Sequence, residues 1–388
     1  MDWYTPKVGD RIESSGRRWV THGGHNGAGA PHRVGREAKR VAHESGMVAL
    51  DGSRGEGGGQ ILRTALTLSL MTGRPFRIAK IRANRDRPGL RPQHLAAVQA
   101  AAELGRAEVT GASVGSRTLI FRPRPVEPRD LTIDIGTAGA TSLVLQTLHL
   151  PLAMNAESGV RLVLEGGTFN VSAPSFPFLR DTWVRLVGRL GLPVSLTMPA
   201  AGFYPAGGGR LEAWIEPGRS RAILRDTRDT PTIVRGEAGV CRLGRGIAER
   251  MVERATVRLL DRGILPMLDL VEWDGGSPGA AIGLTLDDGS IPATFVGLGE
   301  RGKPAEAVAD EAVDALLAHL DVADAAIDPH SADQILIPLA LAEGRSLFTV
   351  SEVTEHLRTN VGTIAAFLDR RVEIAEGDAD GPGRVVVG

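Results

Sequence analysis

The order strand, small-residue loop, helix, strand, helix recurs along this chain, and that recurrence limits the fold more than any other feature. A first pass runs from "MVALDG" to "GQILRTALTLSLMTG", then "PFRIAKIRA" and "RPQHLAAVQAAAELG". A second runs from "LTIDIG" through "TAGAT" to "SLVLQTLHLPLAM", then "GVRLVLEGG" and "FPFLRDTWVRLVGRLGL". A third opens on "HSADQILIPLALAEG" and continues with "SLFTVSEV" and "TNVGTIAAFLDRR". Short strands alternating with helices imply an α/β fold, and a repeated order implies internal repeats. Gly73 and Gly105 stand where the first two helices need a C-terminal cap. "AEVTGASVGSRTLIFRP" reads as paired strands. Gln60-Ile61-Leu62 and Gln334-Ile335-Leu336 repeat a tripeptide, which the pattern sets at equivalent helix starts.

Residues 224–293 break the rhythm. "TPTIVRGEAGVCRLGRGIAERMVERATVRLLDRG" reads as a strand and an amphipathic helix, with further strands in "DLVEWDG" and "AAIGLTLDDG". The expected architecture is therefore α/β, of the α+β sandwich type. It has a large domain of three repeated β-α-β-α units over 47–223 and 294–388, and a smaller inserted α/β domain over 224–293. Residues 1–46 are rich in Gly, Arg and His with almost no aliphatic periodicity. They read as a disordered tail or a spurious extension ahead of Met47. The histidines there match no standard metal spacing.

The chain has 388 residues and a net charge of −1, which excludes a protein that coats nucleic acid over its whole surface but leaves room for a local basic cleft. Cys241 is the single cysteine, so neither an internal disulfide nor a cysteine zinc site can form within one chain. It reads as a packed small residue. No apolar run approaches the ~20 residues that span a bilayer, and the N-terminus lacks the apolar core of a signal peptide. A cytoplasmic protein is expected.

Three stretches carry candidate chemistry. The first is "DGSRGEGGGQILRTALTLS". Consecutive glycines let backbone N–H groups approach an anion, and the following helix points its positive end the same way. Without Gly-Lys-Ser/Thr it is not a Walker loop. A tight strand-to-helix turn is the plain alternative. Glu56 within the loop suits a hard divalent cation, and Gln60 and Arg63 fall on one helix face. A carboxylate, an amide and a guanidinium on a glycine loop suit a metal-bound polyphosphate. The second is "GRPFRIAKIRANRDRPGLRPQH", where Arg74, Arg77, Lys80, Arg82, Arg85, Arg87 and Arg91 face a single acid, Asp86. A solvated basic face is the plain reading. Placement on a strand and a Pro/Gly loop instead suits a phosphate-rich ligand such as a nucleic-acid end. The third is "DPHSADQILIPLALA", with His330 at a helix start after Asp328-Pro329. A helix N-terminus disfavours imidazolium and keeps the ring nucleophilic, although a capping or surface role fits the same position. "GFYPAGGGRL" reads as a hairpin turn. Pro174 and Phe178 flank a loop-to-helix junction, and Pro304 opens another helix.

At these residues the chain resembles the RNA 3'-terminal phosphate cyclase family, through "LDGSRGEGGGQILR", "RPGLRPQHLAAV", "GTAGATSLVLQT", "GGTFNVSAP", "GFYPAGGG", "GKPAEAV" and "HSADQILIPLALA" in order. The resemblance covers nearly everything from Met47 onward. It implies an ATP-dependent enzyme, active with Mg²⁺ or Mn²⁺, that converts an RNA 3'-phosphate into a 2',3'-cyclic phosphate. It implies a covalent histidine–AMP intermediate at His330 and transfer of AMP to the RNA end. By resemblance Glu56 binds the metal. Gln60, Arg63, Gln146, Pro174, Phe178 and Pro304, Ala305, Glu306, Ala307 and Val308 belong to the ATP site. Arg82, Arg85, Gln93 and His94 belong to the RNA-phosphate side. Partners are RNA with a 3'-phosphate end and no membrane; the oligomeric state stays open, a homodimer included. The family also holds cyclase-like ribosome-assembly proteins that lack the histidine, so His330 favours the catalytic branch over a non-catalytic RNA binder. An enolpyruvyl-transferase-like enzyme, built from similar repeats, is a second alternative, but none of that family's sequence blocks occurs here.

Overall fold

The computed structural model describes residues 46–55, 58–228, 233–287, 291–378 and 381–388. The disordered reading of the N-terminal stretch and the metal-binding reading of Glu56 lie outside the described residues. Among those described, no helix is long and apolar enough to cross a membrane.

Three four-stranded sheets share one topology. The first contains β1 (Val48–Asp51), β2 (Phe76–Ala79), β3 (Glu108–Thr110) and β4 (Leu119–Arg122) in the order β1-β2-β4-β3. The second contains β5 (Leu131–Asp134), β6 (Val160–Gly166), β7 (Val194–Ala200) and β8 (Gly209–Ile215) in the order β5-β6-β8-β7. The third starts from β9 (Leu224–Arg225) and is completed only after β10 (Ile233–Cys241), β11 (Leu265–Glu272), β12 (Gly279–Leu286) and β13 (Ala293–Leu298) have formed a sheet of their own. It adds β14 (Ser346–Val350), β15 (Val372–Ala375) and β16 (Gly383–Val387) in the order β9-β14-β16-β15. In every copy the first two strands are parallel and the remaining pairs antiparallel. A parallel pair needs a crossover, and a helix supplies it in each copy.

The helices fall into the same scheme. Copy one holds α1 (Gln60–Thr72) and α2 (Pro92–Leu104), and copy two holds α3 (Thr141–Asn155) and α4. Helix α4 opens as α over Phe176–Phe178, widens to π over Leu179–Trp183 and returns to α over Val184–Arg189. The extra sheet carries α5 (Gly246–Leu260) and α6 (Ala305–Asp321); copy three holds α7 (Pro329–Leu341) and α8 (Glu355–Phe367). Each copy is thus strand, helix, strand, helix, strand, strand, two antiparallel strands longer than the expected β-α-β-α unit.

Helices α1, α3 and α7 are apolar nearly all round because they pack on neighbouring helices as well as on the sheets, whereas α8 exposes Glu355 and Arg358. Leu62, Leu66, Val144, Leu148, Ile335, Leu339, Phe348 and Ile364 from all three copies meet in one core. A second core joins Val234, Met251, Ile282, Phe295, Val313 and Leu316. Leu224 and Arg225, at the head of the expected insert, pair with β14 in the third sheet. Strand β13 and helix α6, beyond its expected end, contribute to the second core. The inserted sheet therefore departs from the third copy between its first strand and its first helix, where the other two copies carry short loops.

Candidate active site

The glycine loop of copy one is pinned at both ends. At its start the Asp51 carboxylate accepts hydrogen bonds from the Ser53 amide at 3.0 Å and from the Lys80 ammonium at 2.9 Å. The Ser53 hydroxyl and Lys80 together hold Asp51 well below the usual carboxylate range. Lys80 and Arg82 have φ of 54° and 53°, a left-handed conformation that costs a non-glycine residue about 1 kcal/mol or more and recurs at functional loops. The buried Ile81 between them lies against Gly52, where a Cβ would stand 3.0 Å from the Ile81 Cα. At the loop's end Gly59 caps α1 without a side-chain acceptor. A Cβ there would stand 2.3 Å from His94 Nε2 and 2.9 Å from Arg63 Nη1. The glycine therefore lets an imidazole and a guanidinium close over the start of α1.

His94 comes from the start of α2, where its amide donates to the Arg91 carbonyl at 2.9 Å. Its Nδ1 accepts the Arg91 amide at 3.1 Å, so the neutral ring carries its proton on Nε2, the atom facing Gly59. Burial lowers its pKa to about 3, with Arg63, Arg82 and Arg91 adding to the effect. Burial also lowers the pKa of Arg82, with Arg85 and Arg91 opposing its charge too. Arg82 donates to the carbonyls of Arg87 at 2.7 Å and Gly89 at 3.3 Å. Arg63, Arg82 and Arg91 thus gather around one neutral histidine, with Arg85 beside Arg82. Guanidinium groups held together against their mutual repulsion suit an anionic ligand.

His330 lies at the start of α7. The Asp328 carboxylate caps that helix, accepting the amides of His330 at 2.9 Å and Ser331 at 3.0 Å. The ring keeps an accessible surface yet sits among enough protein for desolvation to lower its pKa. The charge of His356 acts in the same direction, while Asp328 and Glu352 oppose it. An accessible neutral imidazole in such surroundings is a competent nucleophile.

Three residues bind copy three to copy one directly beside His330. One turn along α7, the Asp333 carboxylate accepts a hydrogen bond from Gln60 Nε2 at 2.7 Å. Gln60 Oε1 meets His356 Nδ1 at 2.8 Å. Asn360 donates to the Asp333 carbonyl at 2.8 Å and accepts from the Thr64 hydroxyl at 2.7 Å. Burial pushes the Asp333 carboxyl up to about 7, against the pull of His356 and Arg63. Copy two joins through Gln146, which donates to Gln334 at 2.5 Å. Both glutamines are the sixth residue of their helix. Gln334 therefore does not correspond to Gln60, which is the first residue of α1. Asp328 and Pro329 start α7 more than a turn before the shared tripeptide, so the expected equivalence of helix starts does not hold.

The predicted site residues separate into two groups. His330, Gln60, Arg63, His94, Arg82, Arg85 and Gln146 belong to the connected cluster just described. Gln93 adjoins it, 3.0 Å from the Cβ that Gly139 lacks. Pro174 is partly exposed before α4, and Phe178 is 4% exposed within the main core. Pro304 caps α6; Ala305 and Val308 are buried in the second core, and Glu306 lies 3.8 Å from Arg250. Sequence reasoning missed Asp333, His356 and Asn360, and named Arg91 only within the basic run. Asp333 lies at i+3 from His330, a spacing that marks one helix face. His356 escaped notice because the eighth helix was expected to start at Thr359. Thr354 caps it earlier, its hydroxyl accepting the Leu357 amide at 3.2 Å.

Sequence comparisons point to one family. The sequence model of the RNA 3'-terminal phosphate cyclase family matches residues 54–374. A protein of Koribacter versatilis named RNA 3'-terminal phosphate cyclase is 44% identical over 85% of this chain and 92% of its own length. A protein of the same name from Ralstonia nicotianae is 43% identical over 86% of this chain and 95% of its own. One from Caldivirga maquilingensis is 42% identical over 84% and 94% respectively.

Proposed function

The chain belongs to the RNA 3'-terminal phosphate cyclase family, and we propose that it uses ATP to convert the 3'-phosphate of an RNA end into a 2',3'-cyclic phosphate. The neutral His330 ring attacks the α-phosphorus of ATP, and the bond to pyrophosphate breaks. AMP then passes from histidine to the RNA 3'-phosphate. The adjacent 2'-hydroxyl attacks that activated phosphate, closes the ring and expels AMP. Covalent catalysis divides a difficult dehydration into easier transfers. The carrying observation is the placement of His330 one turn from Asp333, which Gln60 ties to the glycine-loop helix bearing Arg63. The tie supports the reading because it joins the helix of the proposed nucleophile to an anion-suited helix start.

Arg63 is assigned to the ATP phosphates. Arg82, Arg85, Gln93 and His94 are assigned to the RNA phosphate, His94 as an Nε2–H donor. Glu56 is assigned to a divalent cation, Mg²⁺ or Mn²⁺. Among the described residues no group of three His, Cys, Asp or Glu side chains gathers into a metal cage. A single carboxylate suits a hard ion that takes most ligands from phosphate oxygens and water. Such an ion would offset charge on the departing pyrophosphate. Pro174, Phe178 and Pro304 to Val308 are assigned to the nucleotide pocket by family resemblance; buried Phe178 would act by shaping its wall.

The reading is tested with a 3'-phosphorylated oligoribonucleotide and ATP. The end should become resistant to phosphatase, and AMP and pyrophosphate should appear. A 2'-deoxy terminal nucleotide should be adenylylated without cyclising, because the attacking hydroxyl is gone. A wild-type protein that leaves the ribonucleotide end phosphatase-sensitive would overturn the reading, and with it the preference over a non-catalytic RNA-binding protein of the same fold.

A further inference from the structure

The residues assigned to the RNA phosphate adjoin a basic surface that the cyclase reading leaves unused. Three segments of copy one build it: the start of the glycine loop, the loop 80–91 between β2 and α2, and the loop 111–118 between β3 and β4. Hydrogen bonds fasten them together. Asn84 Nδ2 donates to the Ser53 carbonyl at 2.9 Å, and the Ile81 amide donates to the Arg117 carbonyl at 3.0 Å. The Leu90 amide donates to the Ser116 carbonyl at 3.0 Å, and the Gly115 amide donates to the Leu90 carbonyl at 2.8 Å. Gly89 permits this close approach, since a Cβ there would stand 2.3 Å from the Gly115 carbonyl oxygen. Arg82 joins the surface to the phosphate cluster by donating to the Arg87 carbonyl at 2.7 Å.

The charge of this surface is one-sided. Over 51–55, 80–91 and 111–118, seven Lys and Arg residues stand against two acids, Asp51 and Asp86, and Lys80 already occupies Asp51. Arg54, Arg87 and Arg117 are exposed, and none of their side chains makes an ion pair or hydrogen bond with another described residue. Other exposed arginines of copy one are paired: Arg106 with Glu127, Arg124 with Glu108 at 3.0 Å and Arg129 with Glu103 at 3.4 Å. Three guanidinium groups kept without carboxylates, next to a cluster suited to a terminal phosphate, suit further phosphates of the same strand. The three segments hold no Phe, Tyr or Trp, so they offer no platform for stacking bases and can grip only the backbone.

We propose that Arg54, Arg87 and Arg117 form a track for the backbone of single-stranded RNA upstream of its 3'-phosphate, and that the track binds RNA irrespective of sequence. The proposal deepens the cyclase reading and rests on its assignment of the terminal phosphate to Arg82, Arg85, Gln93 and His94.

The test is fluorescence anisotropy of 5'-labelled, 3'-phosphorylated oligoribonucleotides with the ATP-free protein, at salt from about 50 to about 200 mM. The probes are a uridine dinucleotide and uridine and adenosine oligomers of about ten nucleotides. Each phosphate contact on a single strand contributes about 0.7 to the fall of log affinity with log salt. The triple variant Arg54→Gln, Arg87→Gln, Arg117→Gln should therefore lower that slope by about 2 on the long oligomers, so that wild type loses roughly twentyfold more affinity over the same range. Uridine and adenosine oligomers should be weakened alike, and the dinucleotide should bind as to wild type. Arg124→Gln, at an arginine that already has a carboxylate, should change nothing. An unchanged slope in the triple variant, an equal loss on the dinucleotide, a loss confined to one sequence or an equal loss in Arg124→Gln would each overturn the proposal. Cyclisation is assayed separately on the same oligomers. A wild type that fails to cyclise them while the salt slopes still separate would sink the cyclase reading and leave the track standing.

Discussion

His330 and Asp333 share a face of α7, and desolvation moves them oppositely: it lowers the imidazole pKa and pushes the carboxyl up to about 7. In each case the neutral form gains, because burial penalises charge of either sign. A neutral imidazole is what a phosphoryl nucleophile requires. His330→Ala should therefore abolish covalent labelling by ATP, and Arg63→Ala should lower its rate by roughly a hundredfold, the usual loss on removing one transition-state donor. Phosphoramidate label retained on His330→Ala would refute the first expectation. The same logic reaches stability. His94, His149 and His319 are 4%, 3% and 3% exposed, and burial lowers their pKa to about 3, 4 and 3. Their unfolded forms bind protons near pH 6.5, so between that value and about 4 the unfolded chain holds more protons. The stability they confer is present above pH 6.5 and is lost as pH falls below it. Each contributes about 2 kcal/mol of loss by pH 5. Asp333 acts in the opposite sense, since its folded form holds a proton that the unfolded form releases above the usual carboxylate range. Urea midpoints at pH 7.5 and 5.0 should fall with acid, and His319→Gln should show the shallower slope.

Helix starts are the elements on which this site is built, and they differ in how they are finished. Gly59 ends the loop before α1 without a side-chain cap, whereas Asp328 caps α7 with a carboxylate. Gly59→Ala would set a methyl group against His94 Nε2, whose ring is buried and held through Nδ1. The expected result is a tenfold or greater fall in turnover of RNA 3'-phosphate, read in a phosphatase-resistance assay, with a stability cost of only about 1 kcal/mol. Asp328→Ala removes a cap, costing about 1–2 kcal/mol. It also removes a charge that favours protonated His330, so the acid limb of self-labelling should move to lower pH. Repeats and helix stops were legible in the sequence because glycine caps and alternating patterns are local signals. Gly73 does close α1, with φ of 67°. His330 and the basic loop were legible because charge and proline mark them locally. The tie between copies one and three was not. Gln60 and Asp333 are separated by 273 residues, and no periodicity reports such a contact. His356 was hidden by a helix start that a threonine cap, more than apolar spacing, decides.

The whole chain is three copies of one sheet topology, with the inserted sheet leaving the third copy ahead of the helix that carries His330. In the other copies that junction is a short loop rich in small residues. An insertion there adds a second core without altering the strand order of the parent unit. Polar ties hold the insert to copy two. Arg180, from the π turn of α4, reaches Glu237 of β10 at 2.8 Å and Asp181 at 2.6 Å. Thr182 bonds Thr294 of β13 at 2.8 Å, and Arg185 meets Asp287 at 2.6 Å. Glu237 is 8% exposed, so losing its partner strands a buried carboxylate. Arg180→Met should cost about 2 kcal/mol, less than a fully buried pair because the arginine is partly solvated. Adding Glu237→Gln should recover at least half of that loss, since the charge needing a partner is gone. If Pro304 to Val308 do line the nucleotide pocket, loosening this tie also displaces α6, on which they sit. The ATP concentration for half-maximal labelling should then rise in Arg180→Met more than the maximal rate falls, and should return in part in the double variant. Thermal midpoints of the two single variants, the double variant and wild type supply the cycle; additive losses would show that Arg180 and Glu237 do not act as a pair, and an unchanged ATP dependence would separate the insert from the nucleotide site.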